Sequence, residues 1–509
     1  MSRNENKLIS FLPGNNPISK RRYSWKERTW QHVSDSMVEF SRKYPYSWPP
    51  VFGEIKRGSD AAFNRLITVR PPQNTAINST HVWMIDLLPI EQVHAFSEDM
   101  IEVYTKYKPK KWFIPNNLDE ISKLAHLETE LETRSWHKLG YVDPNPDINN
   151  QKVPLVDWLQ ISVYRCFPTH FLVLVEIRPS DLFRFTFKLL AGYDTPAGYT
   201  LSLPKLRNIF RFWGSRYSTR EHAKNQLIED LFLDLKWGTK KFLQKYTALG
   251  EFSKHFESLP PSIELFHVAE VGRMPYTSDK EARRNRFWDS LGMSRSLRGY
   301  SNERNTINFF PPEYLNAVNE NPVIKILLND SRPLKNKNET SEEYVLIDKV
   351  DTWVYGFARS FAMLVLGARL QRDAAKKWRE FACRNKMSFL WKIFAFFASE
   401  EEISNSRFVL NRLVGEYSPQ EEIMDMKSEG VPDLLDNLGL LLKDRLRSRF
   451  VHDFSRMAHY SLKNAVQATE LVQKAGQELL QRELAKSNYF LAAMAFLVSI
   501  ISIIMSLKK

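Results

Sequence analysis

The side chains best spaced to hold an anion lie near the C-terminus, in LLKDRLRSRFVHDFSRMAHY, residues 441–460. At about 100° per helical residue, Leu446, Phe450, Phe454 and Met457 fall within about 80° of arc. Arg445, Arg449, His452, Arg456 and His459 fall within a second arc of similar width beside it. One helix would thus carry an apolar face and a cationic stripe. Such a stripe suits phosphate, on a lipid headgroup or on nucleic acid. Its two histidines would strengthen it below pH ~6.5.

Two further basic runs interleave with aromatics. Lys20, Arg21 and Arg22 precede Trp25, and Lys108, Lys110 and Lys111 precede Trp112. Cations beside flat rings suit single-stranded nucleic acid and anionic surfaces alike. The whole chain is basic, at +13 and pI about 9.4, which favours acidic partners. Arg447 and His452 repeat the Arg-x-x-x-x-His spacing similar to that of HEPN-type ribonucleases. They sit about 140° apart on the helix, so they do not share a face.

The common catalytic signatures are missing. The sequence has no Gly-x-Gly-x-x-Gly, no phosphate-binding loop, no His-Glu-x-x-His, no Cys-x-x-Cys and no Gly-x-Ser-x-Gly. Glycine is only 18 of 509 residues, which disfavours loops that cradle phosphate. The eleven histidines lack metal-ligand spacing. No cofactor and no metal is expected. Two cysteines, Cys166 and Cys383, fit a reducing compartment and exclude a disulfide scaffold.

The chain ends in NYFLAAMAFLVSIISIIMSLKK. Tyr489 to Leu507 carries no charge, and as a helix it would reach about 28 Å, close to the ~30 Å hydrocarbon core. The expectation is a C-terminal transmembrane helix and tail anchor, with the lipid bilayer as partner. Glu5 and Pro13 interrupt the N-terminal stretch, which does not read as a secretory signal. The large N-terminal body is therefore expected in the cytosol. Ala492, Ala495, Ser499, Ser502 and Ser506 line one face of the tail. Upstream, Ala465, Ala468, Val472 and Ala475 form a second small-residue stripe. Small faces let helices approach closely, so a self-associating stalk and a homo-oligomer are expected.

The chain's 59.7 kDa allows two or three domains. A basic irregular segment is expected over 1–60 and an α+β domain over 61–328. A linker over 329–343 would lead to a helical domain over 344–457, a stalk over 458–487 and the span over 488–507. LPIEQVHAFSEDMIEVYTKY reads as a helix with Pro89 in its first turn, and a second helix is expected over 117–134. WLQISVYRCF and FLVLVEIRP read as a β-hairpin. LFRFTFKL alternates Phe183, Phe185 and Phe187 with polar residues, the period of a third strand. Ser218 and Glu221 suggest a capping box. The proline-free stretch 344–386 reads as a long helix, and Arg359 in its middle argues for a core helix rather than a span. A short apolar run, 389–398, would be core or interfacial.

The fold expected from these elements is α+β and predominantly helical. It has a small antiparallel sheet in the N-terminal half, a helical C-terminal domain, a stalk helix and one transmembrane helix. The function expected is a membrane-anchored cytosolic scaffold or sensor that meets anionic lipid headgroups or an acidic protein. A membrane-localised effector that binds or cleaves nucleic acid is the alternative.

Overall fold

The structure is a computed structural model. It describes residues 76–107, 136–144, 155–167, 169–192, 198–201, 215–218, 220–247, 250–254, 259–269, 299–301, 307–310, 322–330, 340–383, 407–408, 410–436 and 449–507. The strands are β1 Ala76–Pro89, β2 Trp136–Val142, β3 Val156–Phe167, β4 His170–Pro179, β5 Gly198–Leu201, β6 Ser215–Ser218, β7 Ser262–Ala269, β8 Tyr300–Ser301, β9 Ile307–Phe310, β10 Val323–Asp330 and β11 Leu435–Asp436. The helices are α1 Val93–Lys106, α2 Asp181–Gly192, α3 Arg220–Gln244, α4 Glu251–Lys254, α5 Thr340–Cys383, α6 Pro419–Ser428 and α7 Phe450–Leu507. The chain divides into two units. Unit one is Met1–Tyr314, Asn319–Tyr355 and Pro432–Phe450; unit two is Leu315–Val318, Gly356–Val431 and Val451–Lys509.

Unit one is built on a nine-stranded sheet ordered β11-β8-β9-β10-β7-β1-β4-β3-β2. Its neighbours run antiparallel except β7 and β10, which are parallel. The small antiparallel sheet expected from sequence is therefore corrected to a large mixed one. The β3–β4 hairpin is present, with Leu159 opposite Ile177 and Ser162 opposite Leu174. It extends on both sides through strands that the sequence reading missed. After Ala76 and Ile77, β1 runs through Asn78, Ser79, Thr80 and His81, and this polar run hides its later apolar residues. The register between Ser79 and His81 also shifts, which breaks the period of two.

One sheet face is aliphatic and aromatic. Val82, Met84, Ile161, Val173, Val175 and Phe266 on it join Phe96, Met100, Phe183, Phe187, Phe232 and Leu235 in one cluster. Helices α1, α2 and α3 supply the latter six residues. Helix α2 corrects the expected third strand. Phe183, Phe187 and Leu190 follow the i, i+4, i+7 helical pattern and are buried, while Phe185 and Leu189 are exposed. Ser180 Oγ accepts from Phe183 N at 3.3 Å at its start, an N-cap arrangement. The apparent alternation came from two extra apolar residues on the solvent side. Ser218 ends β6, opposite Gly198, and the helix expected after it begins at Arg220. Pro89 closes β1 and precedes a single 3₁₀ turn, Ile90–Gln92, before α1.

Unit two is helical. The part of α5 from Gly356 onward packs on α7, with Phe357 and Phe361 each 6.1 Å from the Phe454 ring. The two backbones approach closely at Gly367, where a Cβ would lie 2.5 Å from the Ser461 carbonyl carbon. Ser461 Oγ donates to Leu364 O at 2.8 Å there. Arg359 is buried, as its reading within a core helix requires. Its Nε donates to Glu422 Oε1 and its Nη2 to Asp425 Oδ2 at 3.2 Å. Ser360 Oγ donates to Glu422 Oε2 at 2.5 Å, so the α6 carboxylate is satisfied on both oxygens.

The C-terminal expectation is overturned. Among the described residues no helix is long and apolar enough to cross a membrane. The tail anchor, the single-pass location and the membrane-anchored function are withdrawn with it. The expected segments 1–60, 117–134 and 389–398 lie outside the described residues.

Gly250 marks a point of close approach in unit one. A Cβ there would sit 2.0 Å from Leu87 O and 2.8 Å from Asp86 Oδ1. That same Oδ1 accepts from Phe252 N at 2.9 Å. Gly250→Ala must push this segment off β1. It is expected to lower stability by about 1–3 kcal/mol, read as a drop in the urea midpoint at unchanged slope.

Candidate functional site

The second face of the sheet differs in kind from the first. Along β3, Leu159, Ile161 and Val163 enter the apolar core, so Trp158, Gln160, Ser162 and Tyr164 point to the opposite side. The strand pairings carry that set across the sheet. Trp83 lies opposite Glu176, Gln160 opposite Glu176 and Trp158 opposite Arg178. Trp136 lies opposite Tyr164, Lys138 opposite Ser162 and Tyr141 opposite Gln160.

A bulge makes the last of these possible. Lys138 and Tyr141 are three residues apart and would sit on opposite faces of a regular strand. The register shifts between Lys138 and Gly140, and Gly140 takes φ 110°, a conformation that only glycine adopts readily. Tyr104 OH donates to Gly140 O at 2.9 Å and fixes the bulge from the apolar side. Burial pushes the Tyr104 hydroxyl's pKa well up, so it stays a donor.

The residues on this face form two aromatic groups. Trp136 stacks on Tyr164 with centroids 5.0 Å apart and 21° between planes, and Tyr355 of α5 packs on Trp136 at 4.6 Å. Nearby, Tyr141 meets Trp158 edge-on at 4.8 Å, and Trp158 packs on His81 at 5.9 Å. Cations lie over both groups. Lys138 Nζ is 5.1 Å from the Tyr355 centroid, and Arg178 is 5.9 Å from that of Trp158.

Polar contacts lock the arrangement. Asp351 on α5 accepts from Trp83 Nε1 at 3.2 Å and from Lys138 Nζ at 3.1 Å. The hydroxyls of Ser162 and Tyr355 are 3.3 Å apart. Burial, and then the Asp351 charge, push the Tyr355 phenol well above its usual range. His81 Nε2 is 3.6 Å from Glu176 Oε1, and both side chains are buried. Burial pulls the His81 pKa down to about 3, with Arg178 and Arg184 adding to the effect. The imidazole is therefore neutral at physiological pH. Trp136 and Tyr141 remain half-buried, and the Lys138 side chain is 51% exposed. Fixed flat rings, an accessible ammonium and a guanidinium can grip a planar, anionic ligand by stacking and charge.

A cavity under the apolar face does not compete as a site. It measures about 20 Å³ beside Met84, Asp86, Phe96, Val173, Lys240 and Ser253, room for one water. Among the described residues no cluster of His, Cys, Asp and Glu could hold a metal ion.

Among the described residues, none of the candidate site residues singled out from sequence lies on β1, β2, β3 or β4. Arg449 pairs with Asp433 at 2.8 Å, with both side chains more than half exposed. On α7 in unit two, His459 stacks on Tyr417 at 6.4 Å and 21°, His452 is half-buried and Arg456 exposed. Lys20, Arg21, Arg22, Lys108, Lys110, Lys111, Arg445 and Arg447 lie outside the described residues. Of the small-residue stripe, Ala465 and Val472 are buried, and Ala468 packs with Val472 against Ala374 of α5. Ala475 is half-buried; Ala492, Ala495 and Ser499 are exposed, and Ser499 Oγ donates to Ala495 O at 2.9 Å. The side chains of Ser502 and Ser506 lie outside the described residues. No family model, curated protein or solved structure matches the chain.

The low His81 pKa has a measurable consequence. The unfolded chain takes up this proton near pH 6.5, whereas the folded chain resists it down to about pH 3. Stability from this group is fully present above pH ~6.5 and is lost as pH falls toward 3, by up to ~1.4 kcal/mol per pH unit. Urea melts across that window should show the loss, and His81→Gln should flatten the slope by up to one proton.

Proposed function

We propose that unit one binds single-stranded nucleic acid through the aromatic and cationic part of its β1–β4–β3–β2 face. The observation that carries this reading is the Trp136–Tyr164–Tyr355 stack at the β2 edge of the sheet, with Lys138 at its rim. Tyr164 and Tyr355 pack on the indole at 5.0 and 4.6 Å and hold it in place, and Trp136 stays half-buried, so a base that packs against the accessible part of this cluster meets a rigid platform. A stacked base contributes about 1–3 kcal/mol and every base has a suitable face. Lys138 donates one N–H to Asp351, which leaves two further N–H donors for a phosphate. The net charge of +13 favours approach of a polyanion.

Fluorescence anisotropy with labelled single-stranded oligonucleotides over a salt series tests the reading. Binding should weaken steeply as salt rises. Trp136→Leu is expected to weaken it about tenfold, or ~1.4 kcal/mol. Lys138→Gln should lower the magnitude of the salt slope by about 0.7, the value for one phosphate on a single strand. No binding at low salt would overturn the reading. So would equal affinity for a duplex, whose bases are not free to stack.

A further inference from the structure

Two half-buried rings lie on β2, Trp136 and Tyr141. In a regular strand, residues five apart face opposite ways. The bulge between Lys138 and Gly140 turns Tyr141 back onto the face of Trp136 and Lys138, while Leu139 and Val142 enter the apolar core. The strand pairing gives the spacing. Trp136 lies opposite Tyr164, Lys138 opposite Ser162 and Tyr141 opposite Gln160. These partners are two residues apart along β3, so ring, ammonium and ring stand in an even row. At about 3.3 Å per strand residue, the backbone positions of the two rings are roughly 13 Å apart, with Lys138 midway.

The two rings are supported in the same way. Tyr141 meets Trp158 edge-on at 4.8 Å, and Trp158 is only 8% exposed. Trp136 stacks on Tyr164, which is 9% exposed. In each pair the buried ring comes from β3 and the accessible one from β2. Arg178 does not extend the row, because it lies over Trp158 and is 3.9 Å from the Asp157 carboxylate.

An unstacked, extended single strand covers roughly 7 Å per nucleotide, about twice the ~3.4 Å per nucleotide of a strand in a duplex. Two such steps match the distance from Trp136 to Tyr141, and one step matches the distance from either ring to Lys138. We propose that Tyr141 is a second stacking station, so that unit one holds a segment of about three nucleotides laid along β2. The first and third bases pack on the two rings, and the phosphate between them meets Lys138. The middle base has no ring of its own in the row. The bulge at Gly140 sets the length of the segment, because it decides where the second ring stands. The proposal rests on the single-stranded nucleic-acid binding proposed above.

The test is competition on the full chain by oligothymidylates of increasing length against a longer labelled strand, read by anisotropy. Affinity should rise about tenfold between the dinucleotide and the trinucleotide, the effect of one more stacked base, and change little with the next nucleotide. In the trinucleotide, an abasic middle position should cost little, while an abasic position at either end should cost about tenfold. Tyr141→Leu should remove the gain from the third nucleotide and Tyr141→Phe should keep it, a rescue that separates lost stacking from lost fold. If no oligomer binds, the stacking face fails and the second station with it. If oligomers bind and Trp136→Leu weakens them, yet the gain at the third nucleotide is absent or survives Tyr141→Leu, the face stands and the second station is overturned.

Discussion

Asp351 holds together the face of unit one on which its proposed activity depends. It lies in α5, 268 residues from Trp83 and 213 from Lys138, and one carboxylate accepts from both. Trp83 sits in a central strand and Lys138 in an edge strand. The carboxylate therefore spans the sheet from its middle to its rim and seats the start of α5 over it. Hydrogen bonds to a charged group contribute roughly 1.5–3 kcal/mol each. A buried carboxylate left without partners costs more than that. Tyr355 is four residues on, so it shares the helix face of Asp351 and reaches Trp136. The rigidity of the stack thus follows from a helix that a single acidic residue fixes in place.

The two sheet faces separate packing from chemistry. Aliphatic side chains fill most of the first together with phenylalanines, of which Phe183, Phe187, Phe232 and Phe266 meet at 5.2–5.9 Å. These rings have no polar atom and can be covered completely by helices. The second face uses Trp, Tyr and His instead, each with a polar handle that needs a partner when buried. The handles of Trp83, Tyr355 and His81 reach Asp351, Ser162 and Glu176 respectively. Such a face cannot be sealed by aliphatic side chains without leaving donors unpaired, so it remains the side where a polar ligand can be met.

Parts of this were legible in the sequence. The β3–β4 hairpin announced itself through β-branched runs around a short turn. The long helix with Arg359 inside it was recognisable because a charge in its middle argued for protein surroundings rather than lipid. The alternation of Trp158, Gln160, Ser162 and Tyr164 with Leu159, Ile161 and Val163 was also there to see. It is the one local signal of the site. The rest is non-local. The pairing of β1 with both β4 and β7, and the parallel pairing of β7 with β10, join segments that no short window contains. Asp351 looks like any exposed helix acid until Trp83 is placed beneath it. Helix α2 misled because Phe185 and Leu189, both on the solvent side, completed a false period of two. The small residues of the Ala465–Val472 stripe permit close helix approach, and within unit two Ala468 and Val472 pack with Ala374 of α5.

Net charge is the remaining sequence signal, and the structure changes how it should be weighed. Lys224, Lys236 and Lys240 of α3 are all buried. Lys224 Nζ donates to Ala191 O at 2.8 Å. Lys236 Nζ donates to Glu264 at 3.0 Å and to Ser262 at 3.1 Å. Lys236 thus ties α3 to β7 and Lys224 ties it to α2, and a ligand in solution cannot touch these buried ammoniums. The charge of +13 therefore overstates what a polyanion would meet at close range. At long range the summed field still steers, but within a Debye length of about 8 Å only exposed charges decide where a ligand settles. Near the stacking group those are Lys138 and, in part, Arg178, each beside an aromatic ring, with the exposed Asp157 carboxylate 3.9 Å from Arg178. Position rather than total charge is what makes that face the strongest candidate for contact with a nucleic-acid strand.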